Sequence, residues 1–262
     1  MLIDSHCHLD YLERDGVDID QVMAQAKEAG VQYCLTIGTK WSEREKQVSL
    51  ANRFPCIFAS IGIHPHETAS ETAPSLDEFL DFMQQPKLVG IGETGLDYYY
   101  DHSDKDSQMT SFLWHIEAAQ ITGLPLIIHC RDADEVMIDT ITYTQKQKPY
   151  KGVVHCFSGS KELAECAIEF GMYLSLSGII TFKSAEALRH IIHDIPLKHL
   201  LVETDSPYLA PIPFRGKSNQ PAYVAHTAQK LAEIKGVGME ELAKHTSENC
   251  RNLFDKADFL LS

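Results

Sequence analysis

Two histidines one residue apart, His6 and His8, end a short apolar run at the start of the chain, Met1-Leu-Ile-Asp-Ser-His-Cys-His-Leu-Asp10. In a strand, residues two apart project to the same side, so both imidazoles converge on one point. Neutral imidazole is the commonest protein ligand for zinc and related divalent ions, and two on one face make half a coordination shell. Taken alone, such a pair is as easily explained by one local hydrogen bond and one exposed ring. The partners decide. Val89-Gly-Ile-Gly-Glu93 carries a carboxylate at the end of an apolar segment, Leu124-Pro-Leu-Ile-Ile-His129 and Gly152-Val-Val-His155 each finish in a histidine, and Leu200-Leu-Val-Glu-Thr-Asp205 finishes in an aspartate. Oxygen ligands mixed with imidazoles suit zinc, manganese, magnesium or iron rather than a thiolate site.

The apolar runs belong to a regular order of strand and helix. After the first strand, Asp18 to Gly30 reads as a helix with Asp20 as its cap and Gly30 as its stop, followed by a strand at Val31–Ile37. Trp41–Phe54 reads as helix, Cys56–Ile63 as a third strand, Ser75–Met83 as a helix capped by its serine, and Leu88–Ile91 as the opening of a fourth strand. A long amphipathic stretch from about Asp104 to Thr122 stops at Gly123, and Pro125 opens the fifth strand. Helix from Ala133 to about Lys146, strand Gly152–His155, helix Lys161–Phe170, strand Met172–Leu176, helix Ala185–Ile192 and strand Leu200–Glu203 complete the alternation. From about Gln220 onward the chain reads as two or three further helices.

Strands that are apolar almost throughout are those of a parallel sheet buried on both faces. Eight of them favour a closed TIM (β/α)8 barrel over an open doubly wound sheet, and no linker or composition shift divides residues 1–262, so one domain is expected. In such barrels the active site lies at the C-terminal ends of the strands, where the candidate ligands sit.

Composition sets the limits. The chain has 262 residues, 44% hydrophobic and 23% charged, with no apolar stretch of the roughly 20 residues that a membrane span needs. No cationic region followed by a long apolar segment opens it, so a cytoplasmic protein is expected. Seven cysteines without a C-x-x-C pair read as reduced thiols. Cys7, Cys130 and Cys156 each neighbour a candidate histidine, and strand alternation would turn them away from the face the histidines share. The net charge of −14 excludes a protein that grips nucleic acid through a broad basic surface. It leaves open a substrate held at its end, because divalent cations in a pocket supply positive charge locally. Gly90-Ile-Gly-Glu-Thr-Gly95 matches the dinucleotide fingerprint, but that motif should turn at once into a helix, whereas Leu-Asp-Tyr-Tyr-Tyr100 follows. Its glycines instead let the backbone crowd the pocket while Glu93 points in.

With these residues in view, the chain resembles a known family. Ile3-Asp-Ser-His-Cys-His-Leu-Asp10, Gly62-Ile-His-Pro-His66, Gly90-Ile-Gly-Glu-Thr-Gly-Leu-Asp97, the pair His129 and Arg131, His155-Cys-Phe-Ser-Gly159 and Glu203-Thr-Asp-Ser-Pro-Tyr208 together look like the TatD family of metal-dependent deoxyribonucleases, within the amidohydrolase superfamily. The resemblance covers essentially the whole chain. It implies a distorted TIM barrel, two divalent metal ions (zinc, magnesium or manganese) and hydrolysis of DNA phosphodiester bonds. Carried over by position, His6, His8 and Asp205 would hold one metal, His129 and His155 the other, and Glu93 would bridge them. None of these six positions departs from the pattern.

The remaining residues are weighed on their chemistry. Asp205 is the candidate proton acceptor for the attacking water, with a role as ligand alone the alternative. His64 would bind the scissile phosphate or protonate the leaving oxygen, and His66 is a weaker candidate for substrate. Arg131 could pair with a phosphate or with an acidic neighbour. Lys183, Arg215 and Lys217 lie after the last two strands, where basic groups could steer a nucleic-acid backbone. Tyr98, Tyr99 and Tyr100 could stack on bases. Glu203 shares the parity of Asp205 and could orient a ligand.

The leading expectation is a nuclease removing nucleotides from 3′ ends of DNA, single-stranded or frayed, with no obligate protein partner. The alternative is a metal-dependent ester or amide hydrolase acting on D-aminoacyl-tRNA or a small molecule. A metal-binding protein without turnover is disfavoured by the complete ligand set.

Overall fold

The computed structural model describes residues 1–259. Eight parallel strands follow one another around a nearly closed barrel in sequence order. They are β1 (Leu2–Cys7), β2 (Val31–Ile37), β3 (Ile57–Ile61), β4 (Leu88–Asp97), β5 (Leu126–Arg131), β6 (Gly152–Val154), β7 (Tyr173–Leu176) and β8 (Leu200–Val202). The helices are α1 (Leu9–Arg14), α2 (Ile19–Glu28), α3 (Arg44–Arg53), α4 (Leu76–Phe82), α5 (Lys105–Thr122), α6 (Asp134–Gln147), α7 (Lys161–Glu169), α8 (Glu186–Asp194), α9 (Val224–Lys235) and α10 (Met239–Leu253). This is the TIM barrel expected from the alternation.

Side-chain alternation explains which residues reach the mouth. In β5, Leu126 and Ile128 pack in the large helix-facing cluster, while Ile127 belongs to a smaller one with Ile3, Leu35, Val153 and Leu201. One residue from each of several strands, joined by Phe254 and Phe259 from the end of the chain, fills the barrel interior at its floor. His129 has the parity of Ile127, His155 that of Val153, and Glu203 that of Leu201, so all three continue the inward rows above that floor.

The distortion lies at the seam between β8 and β1. Side chains and strand-end backbone stitch it: Ser5 Oγ donates to the Val202 carbonyl (3.0 Å), and Thr204 donates to Asp4 through N–H (2.9 Å) and Oγ1 (2.6 Å). The amide of Asp205 donates to the His6 carbonyl (2.9 Å) and that of His8 to the Ser206 carbonyl (2.8 Å), which ties two candidate ligand segments together.

Several boundaries differ from the sequence reading. The cap of α2 is Asp18, whose side chain accepts from the amides of Asp20 and Gln21; Asp20 already lies inside the helix. Trp41–Glu43 forms a 3-10 turn before α3, and α1 follows β1 directly, unannounced by any long apolar period. The third strand ends at Ile61, whereas β4 runs on to Asp97, so Glu93 lies within a strand and not at its end. Serine or aspartate side chains do cap α4 (Ser75), α5 (Asp104) and α7 (Ser160), and Gly123 closes α5 with φ of 73°.

The glycines of β4 close its backbone against the neighbouring strand β5, and not against the pocket as the sequence suggested. At Gly92 (φ +122°) an added Cβ would meet the Ile127 carbonyl oxygen at 2.5 Å, and at Gly95 (φ +139°) the His129 carbonyl oxygen at 2.0 Å. Only glycine lets β4 approach β5 this closely, and that approach brings Glu93 against His129. The segment continues as strand and not as helix, so it is no dinucleotide loop.

Candidate active site

The C-terminal ends of the strands open into a cavity of about 720 Å³, lined among others by His8, His64, Glu93, His129, His155 and Asp205. With the deeper His6, the structure thus gathers all six residues singled out as ligands. They form two groups of donors.

In the first group, His6 Nε2 and His8 Nε2 are 3.3 Å apart. Asp205 Oδ1 lies 3.7 and 3.4 Å from them, and Glu93 Oε2 lies 3.4 and 3.8 Å from them. In the second group, Glu93 Oε1 is 2.9 Å from His129 Nδ1 and 2.7 Å from His155 Nε2, and those two nitrogens are 3.4 Å apart. Ligands about 2.1 Å from a tetrahedral ion stand roughly 3.4 Å from one another, so the first group has the spacing of donors around a divalent cation, while in the second Glu93 closes to hydrogen-bond distance of both imidazoles. Glu93 presents one oxygen to each group.

Local hydrogen bonds aim the rings. The Ile37 carbonyl can only accept, so the contact of His8 Nδ1 with it (3.1 Å) puts a proton on Nδ1 and turns Nε2 toward the first group. His64 has the reverse arrangement: its Nδ1 accepts from the His66 amide (3.0 Å), so the neutral ring carries its proton on Nε2, 3.3 Å from Glu93 Oε1. His64 therefore faces the second group as a hydrogen-bond donor, and burial keeps it neutral by drawing its pKa down to about 4.

Charge is concentrated here. Burial would raise the Glu93 carboxyl, but the imidazoles of His155 and His64 and hydrogen bonds from His129 and His155 outweigh it and hold Glu93 well below the usual carboxylate range. Burial likewise disfavours a charged His8, yet the hydrogen bond and charge of Asp205 push its pKa up to about 9. Asp205, 14% exposed at its side chain, is lowered by the same pairing against its own desolvation. Glu203 is fully buried, hydrogen-bonded to Ser175, with Oε1 3.4 Å from His155 Nδ1. The buried atoms His6 Nδ1, His155 Nδ1 and Glu203 Oε1 make no hydrogen bond. Those atoms lie outside the two donor groups, in which His6 and His155 present Nε2; the case for cations rests on the mixed imidazole and carboxylate donors of the groups themselves.

Of the candidate substrate contacts, His64, His66, Tyr100 and Arg131 line the cavity, and Tyr98 and Tyr99 do not. Arg131 makes no ion pair among the described residues; its guanidinium sits over the rings of Tyr99 (4.0 Å) and Tyr100 (4.9 Å). Lys183, Arg215 and Lys217 do not line the cavity. They are exposed on the loops after β7 and β8, with Arg215 stacked 3.8 Å over Phe182 and Lys217 5.9 Å over Phe214.

The cysteine expectation needs correction. Cys7 does turn into the core, donating to the Leu35 carbonyl at 3.2 Å, and Cys130 packs on the helix-facing cluster with Sγ 3.7 Å from Asp134 of α6, but Cys156 lines the cavity. Strand alternation no longer applies at Cys156, because β6 ends at Val154 and Cys156 takes φ of 44°. All seven cysteines are free thiols.

Three residues of the cavity wall escaped sequence reasoning. Tyr11 lies stacked against His8 with ring centroids 5.0 Å apart, and Tyr208, 50% exposed, lines the same cavity with its ring 6.4 Å from those of His8 and Tyr11. Asp97 is buried and accepts from His129 Nε2 (2.9 Å), His66 Nε2 (2.8 Å) and the amides of Tyr99 and Tyr100 (3.0 Å each). Extending the fourth strand four residues past Glu93 would have put both carboxylates on one side and revealed it.

Comparison with known proteins agrees with this geometry. A family model described as TatD related DNase matches residues 3–255. The chain is 40% identical over 258 residues to the metal-dependent hydrolase YcfH of Escherichia coli K12, itself uncharacterized, covering 97% of this chain and 95% of that protein. It is 32% identical over 243 residues to the 3′-5′ ssDNA/RNA exonuclease TatD of Salmonella typhimurium, covering 91% and 93%. The crystal structure of YjjV, a TatD homologue from E. coli, superposes with a TM-score of 0.90 at 28% identity, over 97% of this chain and 98% of that one.

Proposed function

Since the chain belongs to the TatD-related DNase family of metal-dependent hydrolases, we propose that it cleaves phosphodiester bonds in nucleic acid, removing nucleotides from the 3′ end of single-stranded DNA. The observation that carries this reading is Glu93, with Oε2 among His6, His8 and Asp205 and Oε1 between His129 and His155. That arrangement suits two divalent cations sharing one carboxylate, Zn²⁺, Mg²⁺ or Mn²⁺ by donor type. When bound, such a pair supplies Lewis acidity to the phosphoryl oxygens and lowers the pKa of water for attack on phosphorus.

The protein's own groups then divide the work. Asp205, ionised and at the accessible edge of the first group, accepts the proton of the attacking water. His64, neutral with its Nε2 proton facing the pocket, donates a hydrogen bond to a phosphate oxygen. Kept neutral by burial, it carries no imidazolium proton to hand to the leaving oxygen, so its part is that of a hydrogen-bond donor. Arg131, fixed over Tyr99 and Tyr100, presents its outer N–H groups to a backbone phosphate. Tyr100 and Tyr208 follow β4 and β8, which lie opposite each other in an eight-stranded barrel, so bases on either side of the scissile phosphate each find a ring. Unpaired bases alone can stack this way. Lys183, Arg215 and Lys217 steer the incoming strand from outside the cavity. We place the protein in the cytoplasm on account of its free thiols; no helix among the described residues is long and apolar enough to cross a membrane.

The test uses metal-stripped protein and a 5′-labelled single-stranded DNA, with and without added Mg²⁺ or Mn²⁺, beside a Glu93→Ala control. The expected result is a metal-dependent ladder shortening from the 3′ end and absent in the control. No cleavage with any metal would sink the nuclease reading.

A further inference from the structure

His129 is held between two carboxylates, with Nδ1 2.9 Å from Glu93 Oε1 and Nε2 2.9 Å from Asp97 Oδ2. Asp97 meets no other residue of either donor group. Its Oδ2 also receives His66 Nε2 at 2.8 Å, and its Oδ1 receives the amides of Tyr99 and Tyr100. Gln108, buried on α5, grips the Asp97 backbone from both sides: its Oε1 accepts the Asp97 amide (2.9 Å) and its Nε2 donates to the Asp97 carbonyl (3.1 Å). The carboxylate is thus immobile and its hydrogen-bonding capacity is filled by four N–H groups.

We propose that Asp97 is a positioning residue that selectively builds the second cation site, by holding the Nε2 proton of His129 so that Nδ1 is the nitrogen left for the cation it would share with Glu93 Oε1. This inference rests on the reading of Glu93 as a ligand shared by two cations. The physical reason for selectivity is the placement of the hydrogen bonds. A ring whose outer nitrogen donates to a carboxylate is fixed in tautomer and orientation and made a better ligand. In the first group the corresponding partner of His8 is the Ile37 carbonyl, which Asp97 does not touch. An Asp97 carboxylate filled by four N–H groups acts as an acceptor, so its contact with His129 Nε2 places a proton on that nitrogen. The same carboxylate fixes the amides of Tyr99 and Tyr100 on which Arg131 rests, joining the second site to the rim that meets substrate.

The experiment is calorimetric titration of Zn²⁺ or Mn²⁺ into metal-stripped protein, native and Asp97→Asn, with circular dichroism confirming that the variant is folded. The expected result is two cations in the native protein, and in the variant one site within about twofold of native and the other weakened roughly 10- to 100-fold. Two sites of native affinity in the variant, or both weakened alike, would overturn the proposal. Should the variant not fold, ¹⁵N spectra of the native, zinc-loaded protein decide instead. A proton on His129 Nε2 upholds the assignment, and one on Nδ1 defeats it. Uptake of a single cation by the native protein would count against the shared-carboxylate reading itself, and the ¹⁵N assignment would still judge the orientation Asp97 imposes.

Discussion

A methyl group on Gly95 would lie 2.0 Å from the carbonyl oxygen of His129. The contact is backbone against backbone, so no side-chain rotation relieves it, and φ of +139° adds strain for any L side chain. Gly95→Ala should therefore destabilise the protein by roughly 2–5 kcal/mol, from a strained φ and an overpacked strand pair. Urea unfolding monitored by tryptophan fluorescence reads this directly; an unchanged midpoint would mean that β4 and β5 part more readily than their packing suggests.

Substitution at the shared carboxylate should be the most damaging at the site. Glu93→Gln keeps the shape but removes the charge facing both donor groups, and should lower kcat by about a hundredfold or more, since cation chemistry supplies several kcal/mol. Treatment of the native protein with EDTA should abolish turnover, and added Mn²⁺ or Mg²⁺ should restore it. Activity that survives exhaustive chelation would contradict the metal-dependent assignment.

The acid–base state of the site makes a signed prediction about pH. In metal-free protein the His8 pKa is raised to about 9 and burial raises Asp4 to about 8. The folded form then holds more protons than the unfolded one across this range. The stabilisation from His8 is fully present below about 6.5 and lost as pH rises through about 9, and Asp4 acts in the same sense above its unfolded value near 3.9. The Tm of stripped protein should fall between pH 6.5 and 9. Cations compete with those protons, so the gain in Tm on adding Zn²⁺ should widen over the same range. Thermal melts at matched ionic strength would show it, and a gap that narrows would refute the assignment of His8 as a ligand.

The aromatic walls separate substrate binding from chemistry. Replacing Tyr208 by alanine removes one stacking ring and should raise KM for single-stranded DNA roughly 5- to 150-fold, the worth of about 1–3 kcal/mol per stacked base. Hydrolysis of a small chromogenic phosphodiester, which has no second base to stack, should change far less. Equal losses on both substrates would assign Tyr208 to the support of Tyr11 and His8 instead.

What the sequence determined by itself was local in kind. The alternation of apolar runs with capped helices specified an eight-stranded barrel, because buried parallel strands need continuous apolar side chains and each crossover needs a helix. The candidate ligands were legible because His6, Glu93, His129, His155 and Asp205 each close or extend such a run, and parity two residues apart placed His8 with His6. Only the tertiary structure decided the rest. The two oxygens of Glu93 face different imidazoles because glycines at 92 and 95 draw β4 against β5, a distance that no periodicity encodes. Asp97 became a partner of His129 because β4 continued beyond the point where its apolar run ended. Cys156 entered the cavity because β6 stopped after three residues and alternation lapsed. Long-range contacts of this kind depend on where strands stop and how closely backbones approach, and those are properties of the packed barrel.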